Sequence, residues 1–421
     1  MAVADFMITL VTFIAIYSLF GIGLNLKFGF TGLIDFGHVA YFMIGAYVTV
    51  VLTMPAGVAT YGGIGGFGLP GLFGALGPLG SLLGWGLGVL GGMAAAALVS
   101  LAVGLPTLRL REDYLAITAL GIATILNTVV NDEEWLFNGP FGISSIHKPM
   151  ESAFPLSLGS FTVNMAVFGL LSLAAFGVLG YWLVGVYRSQ GRRGKVAVAL
   201  PVVLISLWYF VVPAVNGGIV EITKNALWLF DPTAGPQGGV DYDRFVLILS
   251  LAALLGGYWW VERTINSPYG RVLRAIREDE DVPQALGKET FQYKIQALMF
   301  GSALAGAAGA LWAINIGFVS PDQFASTITF FAFTAVIIGG TANNKGVILG
   351  TTFFWAIRNG TRFIDVPSQY SIQLAAARLI LIGVILIAIL YYRPEGLLGE
   401  QDYEITLSRK SIESTGGSDD V

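Results

Sequence analysis

The stretch GSLLGWGLGVLGGMAAAALVSLAVGLP, residues 80–106, carries no charged side chain and exceeds the roughly 20 apolar residues that a helix needs to cross a bilayer. Within it Gly80, Gly84, Gly88, Gly92, Ala96, Ser100 and Gly104 recur every four residues, so one helix face is a continuous ridge of small side chains. No hydrophobic drive acts between helices in lipid. Close van der Waals approach across such a ridge takes its place, and the spacing predicts another helix lying against it. Gly301, Ala305 and Gly309, flanked by Ser302, Gly306 and Ala310, predict a second close crossing.

The rest of the chain is of the same kind. Hydrophobic residues make up 55% of the 421 positions and charged residues 12%, against about 25% charged in ordinary soluble domains. The mean hydropathy is +0.72. Glycine, at 55 residues, is close to twice its usual share of about 7%. This composition specifies an all-α polytopic membrane protein. The net charge of −4 says little for a chain held in lipid, and no nucleic-acid partner is indicated. Cysteine is absent, which excludes disulfides and thiolate chemistry. His38 and His147 are the only imidazoles, too few and too far apart for a metal cluster. The first apolar run starts at Phe6 with no basic region before it, so a retained first span is expected.

Eleven candidate spans follow, roughly 7–26, 30–52, 80–106, 114–130, 161–186, 196–215, 245–261, 295–316, 327–341, 346–360 and 372–392. Ten to eleven crossings are expected if short or re-entrant segments are included. The pair at 327–341 and 346–360 is short and reads as a helical hairpin or as two half-helices entering a cavity. Placing residues 262–292 in the cytoplasm also places there Lys27, Arg109, Arg111, Arg188, Arg192, Arg193, Lys195, Lys345, Arg393 and the tail. Together with Lys294, just before the next span, that accounts for 17 of the 23 basic residues, as the positive-inside rule requires. The N-terminus is then outside and the C-terminus inside. The Gly-rich stretch 54–79 and the loops 131–160 and 216–243 are external. The chain reads as one transmembrane unit, 1–400, followed by a cytoplasmic tail, 401–421, expected to be disordered.

Catalytic signatures are missing. Gly194-Lys195 and Gly287-Lys288 lack the remainder of a phosphate-binding loop, and neither H-E-x-x-H nor G-x-S-x-G occurs. A transport subunit is expected rather than an enzyme. Inside the spans, ionisable residues are the default functional candidates, because a charge at the bilayer centre costs about 2.5–3.5 kcal/mol on the insertion scale. Asp35 and His38, three apart in GLIDFGHVAYF, are expected to share a face of the second span. They either line a translocation path or form a local pair satisfied by backbone. Asn127 is a further path candidate, and Asn315, Arg358 and Arg378 are weaker ones.

Between two apolar runs lies a charged island, SPYGRVLRAIREDEDVPQALGKETFQY, residues 267–293. Val272, Ala275 and Ile276 recur there at i, i+3 and i+4, as on one face of a short helix. It reads either as a docking helix presented to a soluble partner or as a solvated loop.

Several segments, taken in order, resemble the permease subunits of branched-chain amino acid ABC transporters, whose close relatives carry urea and short amides. They are GLNLKFGFTGLIDFGHVAYFMIGAYV at 23–48, LRLREDYLAITALGIATIL at 108–126, NGPFGISSI at 138–146, the island through Gly287, YKIQALMFGSALAGAAGAL at 293–311, GFVSPDQF at 317–324, AVIIGG at 335–340 and RPEGLLG at 393–399. The resemblance implies that residues 262–292 are a cytoplasmic coupling segment. Arg271, Arg274, Ala275, Arg277, Glu278, Ala285 and Gly287 would then contact an ATP-hydrolysing subunit. It further implies a second permease subunit, an external substrate-binding protein, a plasma-membrane location, and ATP bound by the partner with no cofactor on this chain. The cargo implied is a branched-chain amino acid, with urea, a short amide or a sugar as alternatives. A secondary transporter is the reading from another class. The chain departs from the family pattern in its Gly-rich connector, in an insert at 187–241, and at Val282, Pro283 and Thr341 to Lys345.

Overall fold

A computed structural model describes residues 3–55, 65–110, 112–144, 146–158, 160–189, 228–229, 239–360, 371–392 and 395–399. The expected span at 196–215, most of the 187–241 insert and the 401–421 tail lie outside the described residues. Fourteen α-helices are described: α1 (Val3–Thr31), α2 (His38–Thr53), α3 (Leu69–Leu72), α4 (Pro78–Thr107), α5 (Glu112–Asp132), α6 (Glu134–Phe137), α7 (Phe161–Ser189), α8 (Tyr242–Ile265), α9 (Pro268–Glu278), α10 (Asp281–Ala285), α11 (Thr290–Ile316), α12 (Thr327–Gly339), α13 (Asn344–Gly360) and α14 (Ser371–Tyr392). Among the described residues one antiparallel strand pair, β1 (Ile143–Ser144) with β2 (Phe318–Val319), joins two connectors.

Among the described residues, six helical stretches are long and apolar enough to cross a membrane: 5–31, 78–107, 114–132, 242–265, 290–316 and 321–339. Shorter apolar helices run over 38–53, 161–174 and 379–388. Six of the expected spans coincide with helices of this kind, and α7 and α14 cover the expected spans at 161–186 and 372–392.

Helices α1, α2, α4 and α11 form the centre of the bundle, with α8, α12 and α13 packed on α1. The small-residue ridge of α4 is its buried face: Gly80, Gly84, Gly88, Gly92, Ala96, Ser100 and Gly104 all point inward. Gly80 and Gly84 meet Phe73 and Pro70 of the Gly-rich connector, so the described part of that connector is a built element. Gly88 and Gly92 meet Thr53, Thr49 and Gly45 of α2, and Gly104 meets Leu298 of α11. The Thr49 hydroxyl donates to the Gly88 carbonyl at 3.2 Å, a polar tie across the crossing. On α11, Gly301 lies on the Gly23 carbonyl of α1 and Gly309 on the Phe42 carbonyl of α2.

Helices α12 and α13 form a hairpin, the first of the two readings of this short pair. They close on each other through Gly339, Gly346 and Gly350. The C-terminal carbonyls of α12 are capped from a distant part of the chain. Leu397 N–H donates to Ile338 C=O at 2.8 Å and Leu398 N–H to Gly339 C=O at 2.9 Å. Gly340, at φ +114°, turns the backbone out of the helix where a side chain would be strained.

The second span departs from expectation. Residues 30–31 complete α1, residues 32–37 are not helical, and α2 begins at His38. Gly32, at φ +78°, reverses the chain so that Leu33 N–H reaches the Lys27 carbonyl at 2.9 Å. Such a reversal satisfies carbonyls that a helix C-terminus leaves open. The segment then runs back along α1 until the His38 ring stacks on Phe20, with centroids 4.5 Å apart. Asp35 and His38 therefore do not share a helix face.

Candidate functional site

Asp35 and His38 are nevertheless brought together, by a residue placed wrongly from sequence. Lys27, expected in a cytoplasmic loop, stands inside α1 and is fully buried. Its ammonium donates to Asp35 Oδ2 at 2.7 Å, to Ser302 Oγ of α11 at 2.7 Å and to His38 Nδ1 at 3.0 Å. An ammonium has three protons, and each has an acceptor. It also lies 4.3 Å from the centroid of the Tyr41 ring. Because the ammonium can only donate, His38 Nδ1 accepts, and the ring proton sits on Nε2, 3.1 Å from the Phe20 carbonyl. Asp35 Oδ1 accepts from Gly37 N–H at 3.0 Å, which shapes the turn into α2. Desolvating two ions costs several kcal/mol each, repaid only when geometry and hydrogen bonding are complete. Here they are complete. The cluster joins α1, the 32–37 segment, α2 and α11.

Two residues earlier, Asn25 makes a second polar junction. Its Oδ1 accepts from Ala342 N–H at 3.0 Å and its Nδ2 donates to Asn344 Oδ1 at 3.0 Å. Asn344 Nδ2 in turn donates to Glu262 Oε2 of α8 at 3.1 Å. Asn343 Nδ2 donates to the Gly399 carbonyl, while Asn343 Oδ1 accepts from Lys345 and Gly346 N–H. The short turn at 341–345 thus ties α1 to α8, α13 and the 395–399 segment.

The charged island forms two short helices, α9 and α10. Its inward face is Gly270, Leu273 and Ile276, rotated from the face expected on Val272, Ala275 and Ile276. The close turn at 266–267 brings Gly270 onto the Ile265 backbone, and this fixes the rotation. Arg271, Glu278, Asp279, Asp281, Ala285 and Gly287 are exposed, while Arg274 and Ala275 are half-buried. Gly287, at φ +75°, ends α10. Val282 and Leu286 stand exposed at 53% and 76%, an apolar pair amid the charges. Arg277 bridges inward and outward: Nη1 donates to the Gly29 carbonyl of α1 at 2.6 Å, while Nη2 and Nε donate to Oε1 of the neighbouring Glu278 at 2.8 and 3.2 Å. The Arg274 guanidinium lies 5.7 Å from the Phe30 ring centroid. Behind the loop, Glu280 accepts from Lys294 and Thr290. Burial alone would raise the Glu280 carboxyl. The hydrogen bonds from Lys294 and Thr290, with the Lys294 charge, hold it below its ordinary value.

Asn127 of α5 donates to the Pro321 carbonyl at 2.9 Å and so ties α5 to the turn before α12. Arg358 lies over Phe331 and Trp355. Asn315 is half-buried on α11, and the Arg378 side chain lies outside the described residues. His147 is remote from His38 and meets Ser81 Oγ at 2.8 Å. Sequence reasoning missed Lys27, Ser302, Asn25, Asn344 and Glu262 as one polar assembly. A lysine within the apolar run of α1 was the available signal, since an intramembrane charge requires a partner.

The family profile described as branched-chain amino acid transport system / permease component matches residues 6–390. The high-affinity branched-chain amino acid transport system permease protein LivM of Salmonella typhimurium is 26% identical over 93% of this chain and 69% of its own length. A probable branched-chain amino acid transport permease protein LivM of Methanocaldococcus jannaschii is 25% identical over 98% of this chain and 99% of its own. The autoinducer 2 import system permease protein LsrC of Yersinia pseudotuberculosis is 29% identical over 53% of this chain and 64% of its own. No solved structure matches. With its apolar helices, the chain is a multi-pass integral protein of the plasma membrane and a transport permease rather than an enzyme. It belongs to the family of permease components of branched-chain amino acid transport systems.

Proposed function

We propose that this permease is one of two membrane subunits of an ATP-driven ABC importer, and that α9 and α10 form its docking surface for a cytoplasmic ATPase. The observation that carries this reading is the island's division into two faces. Leu273 and Ile276 anchor it on the bundle, while charges of both signs and the Val282–Leu286 pair face away. Mixed charge sets register at a wet interface and disfavours wrong partners, and an apolar pair among charges suits the centre of a small contact. The island lies on the cytoplasmic side, the N-terminus outside and the C-terminus inside. With Lys27 removed from the loop residues, sixteen of the 23 basic residues lie on that side, which supports this orientation.

The cargo is a branched-chain amino acid handed over by an external binding protein. Relatives named for branched-chain amino acid transport match over more than nine-tenths of this chain, whereas the LsrC relative of Yersinia pseudotuberculosis reaches about half of it. Asp35 and His38 belong to a fully satisfied internal cluster, which favours a structural role for them over contact with cargo. ATP-driven movement of the docking surface would re-orient the packed helices as rigid bodies.

Pull-down from native membranes tests the complex: ATPase subunits and a second permease are expected to accompany this chain. Replacing Arg274 and Glu278 together is expected to lower leucine uptake and stimulated ATP turnover with membrane insertion intact. Recovery of the chain alone, or uptake unchanged in that double variant, would refute the reading.

A further inference from the structure

Asn25, Lys27 and Gly29 are alternate residues in the last two turns of α1, and each is bonded to a different part of the molecule. Asn25 holds the 341–345 turn, Lys27 holds α2 and α11, and Gly29 offers its carbonyl to Arg277 of the docking helix. Helix α9 is continuous in sequence with α8 and, through α10, with α11. Its connections to α1 are non-covalent, through side chains such as Arg277 and Arg274. The Gly29 carbonyl lies among those a helix C-terminus leaves open, at the negative end of the dipole, where a cation is favoured. Gly29 cannot be larger, because a Cβ there would stand 2.6 Å from Ala342 N and would overlap the Asn25 side chain. Gly32 lies against the Arg277 side chain as well.

We infer that Arg277 is a positioning residue for coupling: it latches the docking helix to α1, and through Lys27 carries movement of α9 into α2 and α11. The inference rests on the docking role proposed above but assigns Arg277 to the inside of the permease, not to the ATPase interface. Arg277→Ala then keeps the ATPase subunits bound and basal ATP hydrolysis near wild type, while leucine transported per ATP falls about tenfold or more. Arg277→Lys, which can still place one N–H on the carbonyl, recovers part of that ratio.

A covalent substitute separates a latch from a merely structural side chain. The chain has no cysteine, and a Cβ built at Gly32 would stand 3.8 Å from Arg277 Cβ, the usual Cβ···Cβ separation in a disulfide. The Gly32→Cys/Arg277→Cys variant, in the co-purified complex in vesicles, is read against Gly32→Cys alone, which carries the same strain at φ +78°. Relative to that control it is expected to be uncoupled when reduced and to regain transport per ATP when oxidised. Uncoupling that persists once the disulfide has formed would overturn the inference. Loss of the ATPase subunits from Arg277→Ala would also overturn it, because Arg277 would then be a docking residue. If the wild-type chain itself captures no ATPase, it is the docking reading that fails, and the inference fails with it.

Discussion

The Lys27 ammonium and the Asp35 carboxylate meet at 2.7 Å, with side-chain exposures of 0% and 3%. They stand eight positions apart in sequence, and the chain must leave α1 at Gly32 and run back along it for them to touch. Removing one partner leaves an uncompensated buried charge, at a cost of about 3–5 kcal/mol. Lys27→Met is therefore expected to lower the melting temperature of the purified protein sharply. Lys27→Met/Asp35→Asn, which removes both charges and keeps an acceptor for Gly37 N–H, should recover much of the loss. A double variant no more stable than Lys27→Met would contradict this account of the cluster.

Gly92 packs where a Cβ would stand 2.7 Å from the Gly45 carbonyl, while nothing lies within 4 Å of the same position on Gly86, six residues earlier on α4. Gly92→Leu should force α4 off α2 and reduce the yield of monodisperse protein, with Gly88→Leu similar. Gly86→Leu should be tolerated. Size-exclusion profiles of the three variants check the contrast, and equal behaviour at residues 86 and 92 would mean that the ridge is not what holds the crossing.

Leu286 is 76% exposed, and substitutions at such sites usually change stability by less than about 0.5 kcal/mol. Leu286→Asp should leave the melting temperature unchanged yet reduce recovery of the ATPase subunits about tenfold. Full recovery would remove the apolar pair from the proposed interface.

Leu397 N–H closes an open carbonyl of α12 at 2.8 Å. Leu397→Pro removes that donor, whereas Leu397→Ala retains it, and an unpaired buried carbonyl costs about 1–3 kcal/mol. The proline variant should melt well below the alanine variant. Equal melting would show that the 395–399 segment does not cap the hairpin.

Glu280 has a folded-state pKa held below its ordinary 4.5. Its bonds to Lys294 and Thr290 therefore contribute stability fully present above that ordinary value and lost as pH falls through the depressed one. Lys294→Met leaves burial as the largest influence, so the carboxyl should titrate at higher pH than in the wild type. Infrared or carbon NMR titration of labelled glutamate reads the midpoint, and an unmoved midpoint would exclude Lys294 as its cause.

Local patterns carried most of the architecture. The apolar runs specify membrane helices, because lipid cannot satisfy an open backbone. The four-residue spacing of Gly80 to Gly104 marks the face that meets α2 and α11, because i and i+4 lie one above the other on a helix. The charged island reads as a short amphipathic unit for the same reason, although its inward face proved one step away from the expected one.

What pattern could not supply was pairing between distant residues. Asp35 and His38 look like helical neighbours until the positive φ of Gly32 ends α1 and turns the backbone. Lys27 looks like a loop cation until Ser302, 275 positions away, supplies an acceptor. Arg277 looks like one more surface charge until the end of α1 arrives beneath it. Amino-acid sequence alone determined an all-helical membrane permease with a solvated charged element between two apolar runs, since burial and periodicity are properties of short segments. Only the tertiary structure decided which buried charges meet and where α9 grips the bundle, since those contacts depend on backbone reversals and on helices brought together from far apart in the chain.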